Sequence, residues 1–379
     1  MSAPSTKIRL ATASPATQST RQETLAQLER LARSAGDKKA DFLLLPEAYF
    51  GGYPRGSDFG CKIGGRTEEG RDEYRRYFRE AIDLGDIVGP AGAGGLGKWV
   101  KRELGGGVGD EDEGRNEDYG NEGPTTRRGD GTREELERVA RETGVFIVVG
   151  LVERAGGSLY CAVVYVCPRR GMIGKRRKVM PTGTERLIWA QGSPATLQAV
   201  STIIRGIRVN IAAAICWENY MPLLRQSLYA QNINLYFAPT ADGRDTWLPL
   251  TGAEGRARSR PSILASPVSP LTGHGAGSAS KPRRRSVFDE DGNEIVLSSP
   301  VESPNPKTAV SSSAVIEEDG EEEKPKFVSR GGSSIVSPFG DVVAGPQWED
   351  DEGLIYADVD LEDCVRGRLD LDAAGSYSR

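Results

Sequence analysis

One cysteine in this sequence stands where a reactive thiol could be presented. Cys216 ends an apolar run that begins at Ile211, and polar and aromatic residues follow it at once. A strand commonly delivers a side chain into a site at its carboxyl end in this way. A buried cysteine is more often a packing residue, so position alone leaves both interpretations open. The only histidine is His274, so a catalytic Cys-His dyad or Ser-His-Asp triad would depend on that one residue.

A thiol without a histidine needs another proton acceptor, because the thiolate attacks and free cysteine is mostly protonated near neutrality. Glu47 is a candidate base, since Pro46 should end the preceding strand and leave Glu47 beside a glycine-rich loop. Lys178 is a candidate for holding negative charge on thiolate and substrate, because it ends a basic run and borders an apolar stretch. The alternatives are an ordinary surface glutamate and a solvated basic face.

Bulk properties narrow the class of protein. The chain has 379 residues, 37% hydrophobic and 27% charged, which suits one large domain or two smaller ones. A net charge of -5 without a basic stripe predicts no nucleic-acid partner. Without a long apolar run or an apolar leader, we expect no membrane association and a cytoplasmic location. The five cysteines lack metal-ligand spacing, so we expect reduced thiols and no metal site.

The N-terminal part predicts a strand, a helix and a second strand. Alternation at Ile8 and Leu10 indicates the first strand. Thr20 and Glu23 have the spacing of a capping box, and Gly36 is the expected C-cap of that helix. The apolar run 42–45 predicts a buried strand that delivers the following glutamate.

The remaining ordered part alternates strands with few helices. We predict helices at 132–143 and 223–230, and a hairpin of strands 145–152 and 159–166 around a Gly-Gly turn. The further predicted strands are 207–215, 233–237, 333–337, 341–344 and 354–359. This order predicts mixed sheets covered by helices.

Two segments have a biased composition. Residues 90–131 are glycine-rich and charged, and residues 251–326 are rich in Ser, Pro and Gly, so we expect flexible insertions there. The basic cluster 281–285 is typical of a solvated charge run, with a targeting or binding patch as the alternative.

The segments around the candidate residues resemble the nitrilase family of the carbon–nitrogen hydrolase superfamily, in particular the fungal and plant-type nitrilases. The match is carried by DFLLLPEAYFGGYPRG at 41–56, RKVMPTGTERLIW at 177–189, and CWENYMPLLR at 216–225 continued by APTADGRDTW at 238–247. A weaker block spans 331–358. Three long ordered motifs are a specific signal, and they cover most of the chain outside the insertions.

The resemblance implies an α/β fold with four layers, an α-β-β-α sandwich that assembles into a homodimer or a larger homo-oligomer. We therefore expect a single carbon–nitrogen hydrolase domain at 7–360, interrupted by the insertions 90–131 and 251–326, and a C-terminal tail at 361–379.

The resemblance also implies hydrolysis of a small-molecule nitrile to the carboxylic acid and ammonia, without a cofactor. By motif position the implied triad is Glu47, Lys178 and Cys216, with Glu185 as a second glutamate that helps to position the site. The residues expected to bind substrate are Tyr53, Trp217 and Tyr220.

The sequence departs from the family pattern after Trp247. The family continues with a helix and an apolar strand, whereas residues 257–267 read ARSRPSILASP, whose charges and prolines predict no central strand. Three alternatives therefore stay open beside a nitrilase. The chain could be a cyanide hydratase or an amidase that uses the same triad, or a catalytically silent scaffold of the same fold.

Overall fold

A computed structural model of the chain describes residues 6–62, 64–85, 129–242, 244, 247–250 and 331–369, with the backbone of three strands at 262–265, 285–288 and 294–297. Residues 90–128 of the first predicted insertion and most of the second, 251–326, lie outside the described residues. The domain bounds stay a prediction. The chain divides into two compact units, residues 1–270 with 327–379 and residues 271–326.

The first sheet of the larger unit contains six strands. They are β1 (Lys7–Thr12), β2 (Phe42–Leu44), β3 (Phe146–Ala155), β4 (Ser158–Cys167), β5 (Gly171–Arg177) and β14 (Ile355–Asp360). Their order is β14-β1-β2-β3-β4-β5, with parallel pairing among β1, β2 and β3 and antiparallel pairing elsewhere. The parallel strands therefore bring their carboxyl ends to one edge of the sheet.

The second sheet of this unit also has six strands. They are β6 (Val200–Ile204), β7 (Ile207–Ala213), β8 (Leu235–Pro239), β9 (Ser262–Ala265), β12 (Gly331–Val336) and β13 (Val342–Trp348). Their order is β13-β12-β9-β8-β7-β6, and β7, β8 and β9 are parallel. The smaller unit contains an antiparallel pair, β10 (Arg285–Phe288) and β11 (Glu294–Leu297).

The described residues also form helices, among them α1 (Arg21–Asp37), α2 (Glu68–Glu80), α3 (Thr132–Thr143), α4 (Pro222–Tyr229) and α5 (Asp363–Arg366). Apolar residues of α1 and α3 pack with one face of the first sheet, and those of α4 with one face of the second. The inner faces share a third core that includes Phe42, Phe146, Ile211 and Phe237. The predicted α-β-β-α sandwich is confirmed.

Local signals predicted most element positions. The capping box is present, with Glu23 N donating to Thr20 Oγ1 at 3.2 Å and Thr20 N donating to Glu23 Oε2 at 3.1 Å. The prediction of Gly36 as the C-cap is wrong, since α1 continues to Asp37 and its C-cap is Lys38. A Cβ at Gly36 would lie 2.9 Å from Thr143 O, so this glycine allows α1 and α3 to approach.

The expectation of no central strand after Trp247 is also wrong. Ser262–Ala265 forms β9, which pairs in parallel with β8 and antiparallel with β12 and therefore lies inside the second sheet. The four residues of this strand, Ser-Ile-Leu-Ala, include neither the charged residues nor the prolines of the stretch. Across the described ranges, no helix combines the length and apolar character needed to cross a membrane.

Candidate active site

Glu47 follows the carboxyl end of β2 and is buried, at 1% exposure. The close approach of β3 holds its backbone in place. Gly150 of β3 has no side chain at this contact, and a Cβ there would lie 2.2 Å from Pro46 O and 2.7 Å from Glu47 Cα. The alternative of a solvated surface glutamate is therefore excluded.

Lys178 follows β5 and lies between two carboxylates. Its Nζ is 2.7 Å from Glu47 Oε1 and 2.9 Å from Glu185 Oε1, and its side chain is fully buried. Glu185 is fixed from its other oxygen, because Thr182 N donates to its Oε2 at 2.8 Å. Hydrogen bonds to both carboxyl groups thus hold the ammonium in one position.

The whole basic run 175–178 is buried, at 2% exposure or less, so it is not a solvated face. Lys175 and Arg177 both pair with buried Glu153, at 2.7 Å each. Arg176 points to the other side of the strand, where its Nη1 lies 2.6 Å from Glu218 Oε2. Alternation along a strand explains how adjacent cations reach different carboxylates.

Cys216 follows β7 and opens a short 3₁₀ helix, Cys216–Tyr220. It adopts a φ of +52°, which is uncommon for a residue with a side chain and is often found at functional sites. Cys216 is buried, at 3% exposure. Its Sγ lies 3.1 Å from Thr240 Oγ1. The main chain after Thr240 also reaches the site, because Ala241 N donates to Glu47 Oε2 at 3.0 Å. The structure therefore brings together Glu47, Lys178, Cys216 and Glu185.

Burial and neighbouring charges shift the pKa values of these groups. Burial raises the pKa of Glu47, although the Lys178 ammonium opposes this rise. Burial, and then the negative charge of Glu47, raises the pKa of Cys216, so the free enzyme holds a thiol. Burial disfavours the charged Lys178, but Glu47 and the other acidic groups outweigh it and raise its pKa well above the usual value. The site therefore keeps a permanent cation beside a carboxylate and a protonated sulfur.

Glu218 is a site residue that the sequence analysis missed. Its Oε2 accepts from Ile215 N at 2.8 Å, and its Oε1 accepts from Val179 N at 2.7 Å. It thereby joins the residue before Cys216 to the residue after Lys178. Arg176 balances its charge inside the protein, and this partner outweighs burial to lower the pKa of Glu218. Its place two residues after the candidate nucleophile was the available signal.

The predicted substrate-binding residues occupy two different environments. The Tyr53 hydroxyl donates to Glu185 Oε1 at 2.8 Å, so Tyr53 contacts the site through a carboxylate. Trp217 is 41% exposed, and its Nε1 donates to Asp242 Oδ2 at 3.0 Å. The Arg244 guanidinium lies 4.7 Å from the Trp217 ring centre, and the Tyr220 ring lies at 5.8 Å. Trp217 and Tyr220 thus form an exposed aromatic surface directly beside the candidate nucleophile.

The donor set does not resemble a metal site. Within the described part of the chain, no group of three or more His, Cys, Asp and Glu residues is placed to hold a metal ion. Glu47 and Glu185 already share the Lys178 ammonium, which leaves a site organised for nucleophilic and proton-transfer chemistry.

Comparison with known proteins agrees with this geometry. The family model described as carbon-nitrogen hydrolase matches residues 7–368. A nitrilase of Bradyrhizobium diazoefficiens is 35% identical over 92% of this chain and 82% of its own length. An arylacetonitrilase of Trametes versicolor is 35% identical over 94% of this chain and 89% of its own length. A carbon-nitrogen hydrolase from Helicobacter pylori shares the fold with a TM-score of 0.56 at 14% identity, covering 97% of this chain and 93% of that one. The resemblance seen in the motifs is confirmed, and the chain belongs to the carbon-nitrogen hydrolase family.

Proposed function

We propose that the protein is a nitrilase, which hydrolyses a nitrile to the carboxylic acid and ammonia through a covalent intermediate on Cys216. The observation that carries the proposal is the buried lysine between two glutamates, with Lys178 Nζ at 2.7 Å from Glu47 Oε1 and 2.9 Å from Glu185 Oε1. The relatives named nitrilase and arylacetonitrilase support a nitrile as the substrate. The expected roles are those predicted from the motifs.

The first step forms a carbon–sulfur bond. Glu47 takes the thiol proton of Cys216, and the sulfur attacks the nitrile carbon to give a thioimidate. Negative charge develops on the nitrile nitrogen, where the Lys178 ammonium stabilises it together with a backbone N–H near Trp217. Glu185 holds the ammonium from its other side, so Lys178 need not reorganise as charge develops.

The second step breaks the carbon–nitrogen bond. Glu47 first gives the thiol proton to the thioimidate nitrogen, and then deprotonates a water that adds to the thioimidate carbon and gives a tetrahedral intermediate. That proton and the hydroxyl proton of the intermediate go to the nitrogen, so ammonia leaves and a thioester remains. A second water releases the carboxylic acid and restores the thiol. The buried carboxylate suits this repeated proton transfer, because burial raises the pKa of Glu47 toward the working pH.

The aromatic surface beside Cys216 is proposed to contact the organic group of the nitrile. Trp217 directly follows Cys216 in the chain, and its ring and that of Tyr220 are both partly exposed, with centres 5.8 Å apart in an edge-to-face arrangement. Tyr53 is proposed to contribute a hydrogen-bond donor to the site. Burial, and then the charges of Glu47 and Glu185, raise the pKa of Tyr53, so its hydroxyl keeps its proton and remains a donor.

Ammonia release from a panel of aliphatic, aromatic and arylacetonitrile substrates tests the proposal. The parent should release ammonia, and Cys216→Ala should release none. Cys61→Ala is the matched control, since it removes a partly exposed thiol whose contact is Phe59 O at 3.8 Å. Amide as the sole product would indicate the hydratase alternative, whereas ammonia from amides without turnover of nitriles would indicate the amidase alternative. No product from nitriles or amides with a folded parent would refute nitrile hydrolysis and favour the silent scaffold.

A cytoplasmic location and assembly into a homo-oligomer belong to the same proposal. Light scattering of the purified protein tests the assembly, and a mass of one chain would contradict it. Fractionation of the source cells tests the location.

A further inference from the structure

Thr240 brings a hydroxyl group to the candidate nucleophile from a neighbouring strand. β7 and β8 pair in parallel, with Ala213 opposite Phe237, so the residues that follow both strands emerge at one edge of the sheet. Cys216 and Thr240 each stand three positions beyond that pair. The Thr240 side chain is fully buried, and its Oγ1 lies 3.1 Å from Cys216 Sγ.

The partners of this hydroxyl decide which atom is the donor. Asp242 N donates to Thr240 Oγ1 at 3.1 Å, so an oxygen lone pair is occupied on that side. In the contact between the two side chains, the Thr240 Oγ1 hydroxyl is placed as the donor and the Cys216 sulfur as the acceptor. A hydroxyl carries a single proton, and the sulfur is the acceptor that lies within reach of it. Thr240 therefore donates to Cys216.

We propose that Thr240 is a catalytic residue, which donates a hydrogen bond to the Cys216 sulfur when negative charge develops there and thereby promotes departure of the sulfur from the tetrahedral intermediate. The donation itself needs only the geometry of this site. Its effect on the products rests on the proposed nitrile hydrolysis.

The tetrahedral intermediate can collapse in two ways. If the carbon–nitrogen bond breaks, the nitrogen leaves as ammonia and a thioester remains, which water then hydrolyses to the acid. If the carbon–sulfur bond breaks, the electron pair stays on sulfur, the sulfur regains a proton, and the amide is released. A donor on the sulfur stabilises the second leaving group only, so it raises the amide fraction. Both routes consume water alone.

The burial of the sulfur makes such a donor valuable. Burial, and then the charge of Glu47, opposes formation of the Cys216 thiolate, while Thr240 is among the groups that favour it. Hydrogen bonds to charged groups are about twice as strong as those between neutral groups. A thiolate that is otherwise poorly solvated should therefore respond clearly to the loss of one hydroxyl.

The first test measures the sulfur directly and needs no nitrile. The rate of Cys216 alkylation by iodoacetamide is followed by peptide mass spectrometry over a range of pH. Thr240→Val should slow alkylation about tenfold at a given pH. Thr240→Ser, which keeps the hydroxyl, should restore the parent rate. Thr202→Val is the matched control, because Thr202 Oγ1 lies 3.8 Å from the sulfur of a different cysteine, Cys167.

The second test measures the ratio of amide to acid from one nitrile. The amide fraction should fall in Thr240→Val and return in Thr240→Ser. An unchanged alkylation rate in folded Thr240→Val would overturn the donation, and an unchanged amide fraction, or no amide from the parent, would overturn the effect on products. If Thr240→Val does not fold, Thr240→Ala carries the same expectations. Slower alkylation without nitrile turnover by the parent would support the donation and refute the nitrilase proposal.

Discussion

Replacing Glu218 by glutamine should destabilise the protein by about 3–5 kcal/mol, the usual cost of removing one partner of a buried ion pair. The carboxylate is fully buried and lies 2.6 Å from Arg176 Nη1. A glutamine oxygen could still accept from Val179 N, but its amide nitrogen would face Arg176 and Ile215 N, which are both donors. Each buried donor without an acceptor costs about 1–3 kcal/mol.

The pH dependence gives the same prediction a second check. Burial tends to raise the pKa of Glu218, but Arg176 outweighs burial and the net pKa is lowered. A group whose pKa is lower in the folded state stabilises the protein above its unfolded pKa, and that stability is lost as pH falls through the folded pKa. The difference in the free energy of unfolding between the parent and Glu218→Gln should therefore be largest at neutral pH and disappear in acid.

Urea unfolding followed by circular dichroism measures this effect. Asp358→Asn is the matched control, because it breaks a carboxylate–arginine pair of 2.7 Å whose side chains are 37% and 53% exposed. Such a surface pair should cost no more than about 1 kcal/mol. If Glu218→Gln cost as little as this control, the inference that Glu218 fixes the loops around the site would be refuted. Replacing Arg176 and Glu218 together by methionine and leucine should cost less than the single change.

Three further predictions concern the site. Gly150→Ala should destabilise the protein by about 1–3 kcal/mol and lower kcat, because the added Cβ would lie 2.2 Å from Pro46 O. Gly157→Ala is the control and should change neither stability nor kcat, because no atom lies within 4 Å of its added Cβ. Equal unfolding curves for the two variants would contradict this prediction. The rate should fall in acid as Glu47 is protonated, at a pH above that of an ordinary carboxyl group, because burial raises its pKa; a profile of kcat/KM against pH that stays flat until ordinary carboxyl values would argue against Glu47 as base. Trp217→Ala should raise KM for aromatic nitriles about fivefold to tenfold, because the exposed ring would be lost. The KM values for small aliphatic nitriles should stay nearly unchanged. Equal effects on both substrate classes would exclude the ring from substrate binding.

Local signals were sufficient where a short stretch of chain determines its own conformation. The capping box at Thr20 and Glu23 predicted the start of α1, because both hydrogen bonds lie within one turn. The Gly-Gly turn between two β-prone runs predicted the hairpin of β3 and β4 for a similar reason. The motif resemblance predicted the family and the four-layer fold, and the structure places Glu47, Lys178 and Cys216 together as those motifs implied.

The sequence did not predict the contacts between distant parts of the chain. Gly36 resembles a C-cap locally, but its role depends on Thr143 of another helix. The basic run 175–178 resembles a solvated face, because the sequence does not show that Glu153 and Glu218 lie within 3 Å of it. Thr240 lies 24 positions from Cys216 and meets it only because parallel pairing aligns two strand ends. The sequence by itself predicted the family and most of the elements, and it proposed the reacting groups. Only the tertiary structure decided their charge partners and hydrogen-bond donors, because burial and approach through space have no local signal in the chain.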